Sequence, residues 1–200
     1  DVVEKHPWVR DLGRVWIQSA GKEGYPPNQV PMYGGVEKND SMIAADKAFL
    51  ERADKLADTR REAAERLTVI GFRYFAKRDL TSAIKRLNQA WMLDPALGDI
   101  YHGFALVVIE RDRASVTSER LFRIAIANEN TGPRAFADYG RLLLIQKRYE
   151  EAVPVLRLAV LKGPELESAH TWLAAALMQS GNMAEACEIL QERLAEAPEA

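Results

Sequence analysis

A spacing of small residues and prolines recurs along the second half of this chain, and it constrains the fold more than any other feature. In its first copy Ala83 and Ala90 flank Leu87, and Pro95 follows Ala90 by five residues. The set returns in two further copies, which lie 34 residues apart. Their members are Ala152, Leu156, Ala159 and Pro164, and then Ala186, Leu190, Arg193 and Pro198. A period of this length is typical of arrays in which each repeat is one pair of helices.

Each copy also carries a matching pattern upstream. A glycine or alanine stands twelve residues before the first small residue, and an aromatic or aliphatic residue follows three positions later. These pairs are Gly71 with Tyr74, Gly140 with Leu143, and Ala174 with Leu177. Small residues let two helices approach closely while larger side chains interdigitate, and a proline ends the second helix. The pattern resembles the tetratricopeptide repeat, a 34-residue unit of a helix, a tight turn and a second helix.

The resemblance implies an all-α fold, an α-solenoid whose helix-turn-helix repeats form a right-handed superhelix. Four repeats account for every residue from Ala64 onward, and they cover 64–97, 98–132, 133–166 and 167–200. The second repeat lacks the terminal proline and has one extra residue, which we place in the turn from Arg111 to Ser115. A generic helical bundle is the alternative, but it does not require four successive copies of one spacing.

Two segments precede the array. Residues 41–63 are predicted to form a capping helix and linker, with Asp40 or Ser41 as the helix cap. At the start of the first repeat, Thr59 and Glu62 have the spacing of a capping box, in which each residue satisfies a free amide of the other. The capping helix is expected to cover the apolar edge that the first repeat would otherwise expose.

Residues 1–40 are predicted to form an irregular N-terminal arm, because glycines and prolines interrupt them at 24–27 and 31–35. The arm includes apolar residues around Trp8 and Trp16, which is more apolar surface than a free segment would leave in water. It either lies on its own array or reaches a neighbouring chain, and we favour the first.

No catalytic or cofactor-binding motif occurs in the sequence, so we expect neither an enzyme nor a metal or cofactor site. The histidines, His6, His102 and His170, show no metal-ligand spacing. The single cysteine, Cys187, follows the small Ala186 in a second helix and is expected to be a buried, inert thiol.

The charge is nearly balanced overall but not along the chain. A net charge of −2 argues against a nucleic-acid partner, and no apolar stretch is long enough to span a membrane. The first repeat has six basic and three acidic residues, whereas the fourth has one basic and six acidic residues. This asymmetry can orient a partner or favour contact between copies. Four glutamates of the fourth repeat share one helix face, which we expect to be a solvated closing face rather than an acidic docking surface: Glu185, Glu188, Glu192 and Glu196.

In arrays of this family the first helices line a concave groove that binds peptides or partner helices, through positions 2, 5, 9 and 12 of each repeat. The resemblance therefore implies a set of candidate groove residues. The set is Thr68, Phe72, Phe75, His102, Leu106, Ile109, Arg134, Arg141, Leu144, Thr171 and Met178. Relatives that grip a C-terminal carboxylate use lysine and asparagine where this chain has Thr68 and Phe72, so that clamp is absent. Apolar side chains with arginines favour a different ligand, and such residues often dominate binding energy.

The sequence thus predicts a non-catalytic scaffold that binds a protein or peptide in its groove. A cytosolic secretion chaperone and a structural subunit of a homo-oligomer are the alternatives.

The segments 32–38 and 86–95 are similar to exported tetratricopeptide proteins of Gram-negative bacteria. The chain begins at Asp1, which leaves open a removed signal segment or a trimmed sequence. We expect a periplasmic or envelope lipoprotein, with a lipid anchor upstream of Asp1, and the cytoplasm as the alternative location.

Overall fold

The structure, a computed structural model, describes residues 25–113 and 115–196. Within these ranges the regular structure is helical and contains no strand, so the predicted all-α fold is confirmed. The α-helices, numbered in chain order, are α1 (Asp40–Leu56), α2 (Arg60–Ala76), α3 (Leu80–Leu93), α4 (Gly98–Asp112), α5 (Ser115–Ile126), α6 (Pro133–Ile145), α7 (Tyr149–Lys162), α8 (Glu167–Gln179) and α9 (Met183–Glu196). They divide into two compact units, an N-terminal unit that ends at Ser118 and a C-terminal unit that begins at Glu119.

The core of the N-terminal unit is built around Leu87 of α3. This side chain is fully buried and lies against two glycines, Gly71 on α2 and Gly103 on α4. A Cβ added at Gly103 would lie 2.7 Å from Leu87 Cδ2, so only glycine allows the helices to approach this closely. Tyr101 and Phe104 fill the adjoining core and meet edge to face, with ring centroids 6.4 Å apart.

The C-terminal unit follows the same plan with different side chains. Helix α6 packs on α7, α7 on α8, and α8 on α9. Its buried cluster is Phe136, Ala137, Ala159 and Ala169, with Ile126, Val155, Val160, Leu166 and Trp172 packed around it. Alanines at these positions leave room for the larger residues of the facing helix, which is how the repeat spacing becomes a packed core.

The helix starts show which capping predictions are correct. Thr59 Oγ1 accepts a hydrogen bond from the backbone amide of Glu62 at 3.1 Å, which confirms half of the capping box. The Glu62 carboxylate instead accepts a hydrogen bond from Arg66, one helical turn further on. At α1 the predicted cap is wrong by one residue, because Asn39, not Asp40 or Ser41, accepts from the amide of Met42.

The described part of the N-terminal arm is irregular and lies on its own unit. Two short 3-10 turns, Pro27–Gln29 and Pro31–Gly35, pack against α3. Val30, between the two turns, and Met32, within the second turn, are buried. The arm therefore lies on its own array over this stretch, as favoured. Trp8, Trp16 and His6 lie outside the described residues.

Helix α9 departs from the sequence predictions at two points. The predicted burial of Cys187 is wrong, since it is exposed. It follows the buried Ala186 by one residue, a rotation of about 100° around the helix. Glu185 forms an ion pair with Arg157 of α7, with Arg157 Nη2 at 2.8 Å from Glu185 Oε2. Glu188 and Glu192 are exposed on the predicted solvated face. Large apolar side chains are exposed on the opposite side of the helix: Met183, Leu190 and Leu194.

Candidate protein-binding surfaces

In the N-terminal unit the first helices of two repeats, α2 and α4, contact each other. Four predicted groove residues on them are half-buried: Phe72, Phe75, Leu106 and Ile109. The Phe72 ring lies against the imidazole of His102, with ring centroids 5.1 Å apart and planes tilted by 50°. We call this face, defined by the four half-buried residues, the α2–α4 face; it offers aromatic and aliphatic surface.

Two predicted groove residues of this unit are buried and must be withdrawn as contact residues. Thr68 is 4% exposed, and its hydroxyl donates to the Ala64 carbonyl at 2.8 Å within its own helix. His102 is 3% exposed and lies beneath the Phe72 ring. Both side chains contribute to the interior, because position 5 of these two repeats turns towards neighbouring helices rather than outward.

In the C-terminal unit α6 and α8 contact each other in the same way. Arg134 and Arg141 of α6 are exposed. The Arg141 guanidinium carbon lies 5.5 Å from the centroid of the Trp172 ring on α8, within range of a cation–π interaction. The sequence analysis missed Trp172 because it stands one position after Thr171 in its repeat, outside the groove pattern.

The remaining predicted residues of this unit differ in exposure. Leu144 is half-buried, whereas Met178 and the adjoining Ile145 are exposed. Thr171 is exposed, but its hydroxyl already donates to the Glu167 carbonyl at 3.1 Å. We call the surface of Arg134, Arg141, Leu144, Trp172 and Met178 the α6–α8 face. It combines two cations with aromatic and aliphatic area.

A partly buried polar network lies between α6 and its neighbouring helices. Glu119 accepts from Arg148 at 2.8 Å and from Arg123 at 2.8 Å, and it also accepts from the Tyr139 hydroxyl at 3.3 Å. The hydrogen bond from Arg148 holds the pKa of the Glu119 carboxyl below its usual value, while burial raises the pKa of Tyr139. Tyr139 also stacks on Phe122, with centroids 5.7 Å apart. This network joins α5, α6 and α7.

A third site in the described residues holds the arm. Asn88 of α3 is fully buried, and its side-chain amide donates to the main-chain carbonyls of Asn28 at 3.1 Å and Val30 at 2.9 Å. Its Oδ1 has no hydrogen-bond partner among the described residues. Tyr33 donates to the sulfur of Met92 at 3.0 Å, and burial raises its pKa above the ordinary tyrosine range.

Arg111, near the end of α4, holds the other side of the arm. It donates to the Gln29 carbonyl at 2.7 Å, and its guanidinium carbon lies 3.8 Å from the Tyr25 ring centroid. A bidentate ion pair with Asp112 fixes the orientation of the Arg111 guanidinium. The sequence analysis missed Asn88 and Arg111, since both bind main-chain carbonyls, which have no sequence signature.

A sequence profile described as "Tetratricopeptide repeat" matches residues 143–200. This match agrees with the repeat spacing of the sequence and with the paired helices of the structure. Residues 143–200 thus match the tetratricopeptide repeat family. Proteins of this family generally act in protein–protein interaction, and the fold is typically a non-catalytic scaffold.

The chain is also similar, in sequence and in structure, to one bacterial protein. The chain is 30% identical over 93 residues to the type IV pilus assembly protein PilF of Pseudomonas aeruginosa. That match covers 46% of this chain and 36% of PilF. The solved structure of Pseudomonas aeruginosa PilF has a TM-score of 0.60 and 27% identity, over 68% of this chain and 61% of that one. In both comparisons this chain spans less than two thirds of the length of PilF.

Other solved structures share the fold alone. MamA has a TM-score of 0.54 at 16% identity and covers 80% of this chain and 95% of its own. The tetratricopeptide domain of Arabidopsis OM64 has a TM-score of 0.50 at 20% identity, over 58% of this chain and 96% of that domain.

In the described part of the chain, no helix has both the length and the apolar character needed to cross a bilayer. Over the same residues, no group of three or more histidine, cysteine or acidic side chains could hold a metal ion.

Proposed function

We propose that this protein is a non-catalytic interaction scaffold that binds a peptide or partner helix on the faces formed by its first helices. The main support for this proposal is the contact between the Arg141 guanidinium and the Trp172 ring. The ring restricts the orientation of the guanidinium, while the arginine stays exposed to a partner. A guanidinium that is already ordered by a ring contact loses less conformational freedom on binding than a mobile one. Phe75, Leu106 and Ile109 supply apolar area in the N-terminal unit.

The chemistry of the α6–α8 face supports one class of partner segment. Among the described residues, neither Arg134 nor Arg141 forms an ion pair, so both guanidiniums are available to carboxylates. Met178 and Ile145 add exposed apolar surface beside them. The partner segment should therefore combine acidic side chains, or a carboxyl terminus, with large apolar residues.

A peptide selection tests this proposal. A random peptide library is screened on the purified 200-residue chain, and selected peptides are measured by fluorescence anisotropy against wild type, Arg141→Glu and Phe75→Ala. We expect at least a tenfold loss of affinity for acidic, apolar peptides with Arg141→Glu, and unchanged helical circular dichroism. Arg73→Glu, an exposed arginine of α2 outside both faces, is the control. Equal affinity of all variants would contradict the proposal that these two faces bind the peptide.

The similarity to PilF favours a role at the bacterial cell envelope, in the assembly of a type IV pilus or a related machine. This proposal places the protein in the periplasm or on an envelope membrane, rather than in the cytosol as a secretion chaperone. Fractionation of the source organism separates the two, since a purely cytosolic protein contradicts the envelope role. Loss of surface pili on deletion, restored by wild type but not by Arg141→Glu, would connect the envelope role to the α6–α8 face.

A further inference from the structure

Helix α1 lies on the N-terminal unit without burying any of its 17 residues. Its inward side is only half-buried, and the residues on it are Met42, Asp46, Phe49, Leu50 and Ala53. Two large apolar side chains of the same helix, Ile43 and Leu56, are 54% and 72% exposed. Helix α2 packs far more extensively on α3 than on α1. Because most helices in proteins are stabilised by the packing of an apolar face, α1 has little of this support.

Two open clefts lie between α1 and the rest of the unit. The wider cleft, of about 460 Å³, is bounded by the arm, α1 and α3. The narrower cleft, of about 360 Å³, is bounded by α1, α2 and α3. Phe49 of α1 and Gln89 of α3 line both clefts, so they lie where the two clefts meet. Side chains that line a cleft lack partner atoms on one side, so α1 is attached weakly along most of its length.

Two ion pairs join α1 to its neighbours. Lys38 of the arm pairs with Asp46 in the first half of the helix. Near the other end, Arg60 of α2 donates to both carboxylate oxygens of Asp54, each at 2.9 Å. The second pair is largely exposed, and exposed ion pairs contribute little to stability. These pairs orient α1 but do not replace the missing apolar packing.

The segments on either side of α1 are short and irregular. Residues 57–59 link α1 to α2, and the backbone of both Ala57 and Thr59 is extended. Residues 36–39, before α1, have no regular structure. The arm that precedes them is held on α3 through Asn88. Helix α1 can therefore move away from the unit through changes in these two linkers, while the neighbouring helices keep their own contacts.

We propose that α1 is a lid, which opens as one body while α2, α3 and α4 stay folded. Opening would uncover a groove on α2 and α3. Its apolar side is formed by Ala63, Leu67 and Ile70, which are buried or half-buried beside the narrower cleft. They follow one another at steps of four and three residues and so share one side of α2. Two arginines line the same cleft, Arg66 and Arg86.

The lid covers a surface separate from the α2–α4 face. Phe72 of that face follows Leu67 by five residues, which places it about 140° further around α2. Within the groove, Arg86 donates to the neutral side chain of Gln89 at 2.7 Å and has no ion pair among the described residues. Closing α1 thus shields an apolar, basic surface, and opening it makes that surface accessible.

Native-state hydrogen exchange of the full 200-residue chain, measured by mass spectrometry, tests the proposal. The amides of α1 should exchange as one group, at least about tenfold faster than those of α2 and α3. Phe49→Ala removes the α1 side chain common to both clefts, so it should accelerate the exchange of α1 by about a further tenfold. The exchange of α2, α3 and α4 should not change. Ile43→Ala, at an exposed position of α1 outside both clefts, is the matched control and should have little effect.

A thiol placed beneath the lid gives a second measurement. Cys187→Ser first removes the exposed natural thiol. In that background Ala63→Cys places a thiol on the α2 side of the narrower cleft, whereas Ala64→Cys places one at a fully buried position outside it. Adding Phe49→Ala should speed maleimide labelling of the first thiol by about tenfold and leave the second unchanged.

Three results would overturn the proposal. Helices α1 to α4 that exchange together would show that α1 is an integral part of the unit. Exchange that spreads along α1 from one end would show fraying rather than the movement of one body. If Phe49→Ala changes the labelling of both thiols equally, or of neither, opening of α1 does not control access to the groove.

Discussion

Gly140 on α6 lies directly against Leu156 on α7, so closely that a Cβ on Gly140 would be 2.4 Å from Leu156 Cγ. Real Cβ atoms do not come this near to another carbon, so the helix pair depends on the missing side chain. The same relation joins Gly71 and Leu87 in an earlier repeat, where the added Cβ would lie 3.0 Å from Leu87 Cγ. The glycine and the leucine are 16 residues apart in both repeats.

Gly140→Ala should destabilise the protein even though alanine is the better helix former. Overpacking a core costs about 1–3 kcal/mol, while the gain in helix propensity is about 1 kcal/mol. We expect a net loss of up to about 2 kcal/mol in the free energy of unfolding, measured by urea denaturation. In a double-mutant cycle, Gly140→Ala in a Leu156→Ala background should be neutral or stabilising. A stabilising effect of Gly140→Ala alone would contradict this packing.

The repeat fold could be predicted from sequence because close packing limits the residue types that it accepts. Gly71, Gly140 and the buried alanines recur at a fixed spacing since each must let a second helix approach. The cap at Thr59 was predictable for a similar reason, because the bond from its side chain is local. The cap of α1 was not, since Asn39, Asp40 and Ser41 are all good caps and the choice depends on where the helix begins.

The candidate sites were less predictable, because exposure depends on what packs over a residue. Thr68 and Arg141 both occupy predicted groove positions, yet the first is buried and the second exposed. Asn88 and Arg111 bind the arm through main-chain carbonyls about 60 to 80 residues away in sequence, and any residue type supplies such a carbonyl. Sequence patterns therefore identify the helices, but not which of their side chains a partner or the arm can reach.

The arm should depend on the two hydrogen bonds of Asn88. Asn88→Ala removes both donors to the carbonyls of Asn28 and Val30, and we expect a loss of about 1–3 kcal/mol in the free energy of unfolding. Asn88→Asp should cost more, because a buried carboxylate would face two carbonyl oxygens without a proton to donate. Hydrogen exchange of residues 29–36 should accelerate in both variants. Gln179→Ala, which changes an exposed side-chain amide at the end of α8, is the control.

The cap at Thr59 should contribute measurably to α2. Thr59→Ala removes the acceptor for the Glu62 amide and should lower the free energy of unfolding by about 1 kcal/mol. Thr59→Ser and Thr59→Asp keep an acceptor and should retain most of the stability. If thermal denaturation shows the same loss for all three, the side-chain oxygen is not what stabilises this helix start.

The Glu119 network should make stability depend on acid pH. Hydrogen bonds from Arg148 and Arg123 lower the pKa of this carboxyl in the folded protein below its ordinary value of 4.5. The folded state then binds fewer protons than the unfolded state, so the contribution of Glu119 is fully present above about pH 4.5. It is lost as the pH falls through the lowered folded pKa.

Glu119→Gln tests this dependence. At neutral pH we expect the variant to be less stable than wild type by about 1–2 kcal/mol, because a neutral amide bonds both arginines more weakly. Urea titrations between pH 7 and pH 3 should show this difference shrinking below about pH 4.5, where the carboxyl of the unfolded wild type binds a proton that the folded one does not yet bind. Glu150→Gln, an exposed change outside the network, should give no such convergence. A difference that stays constant down to pH 3 would mean that packing, rather than the charge of Glu119, holds α5, α6 and α7 together.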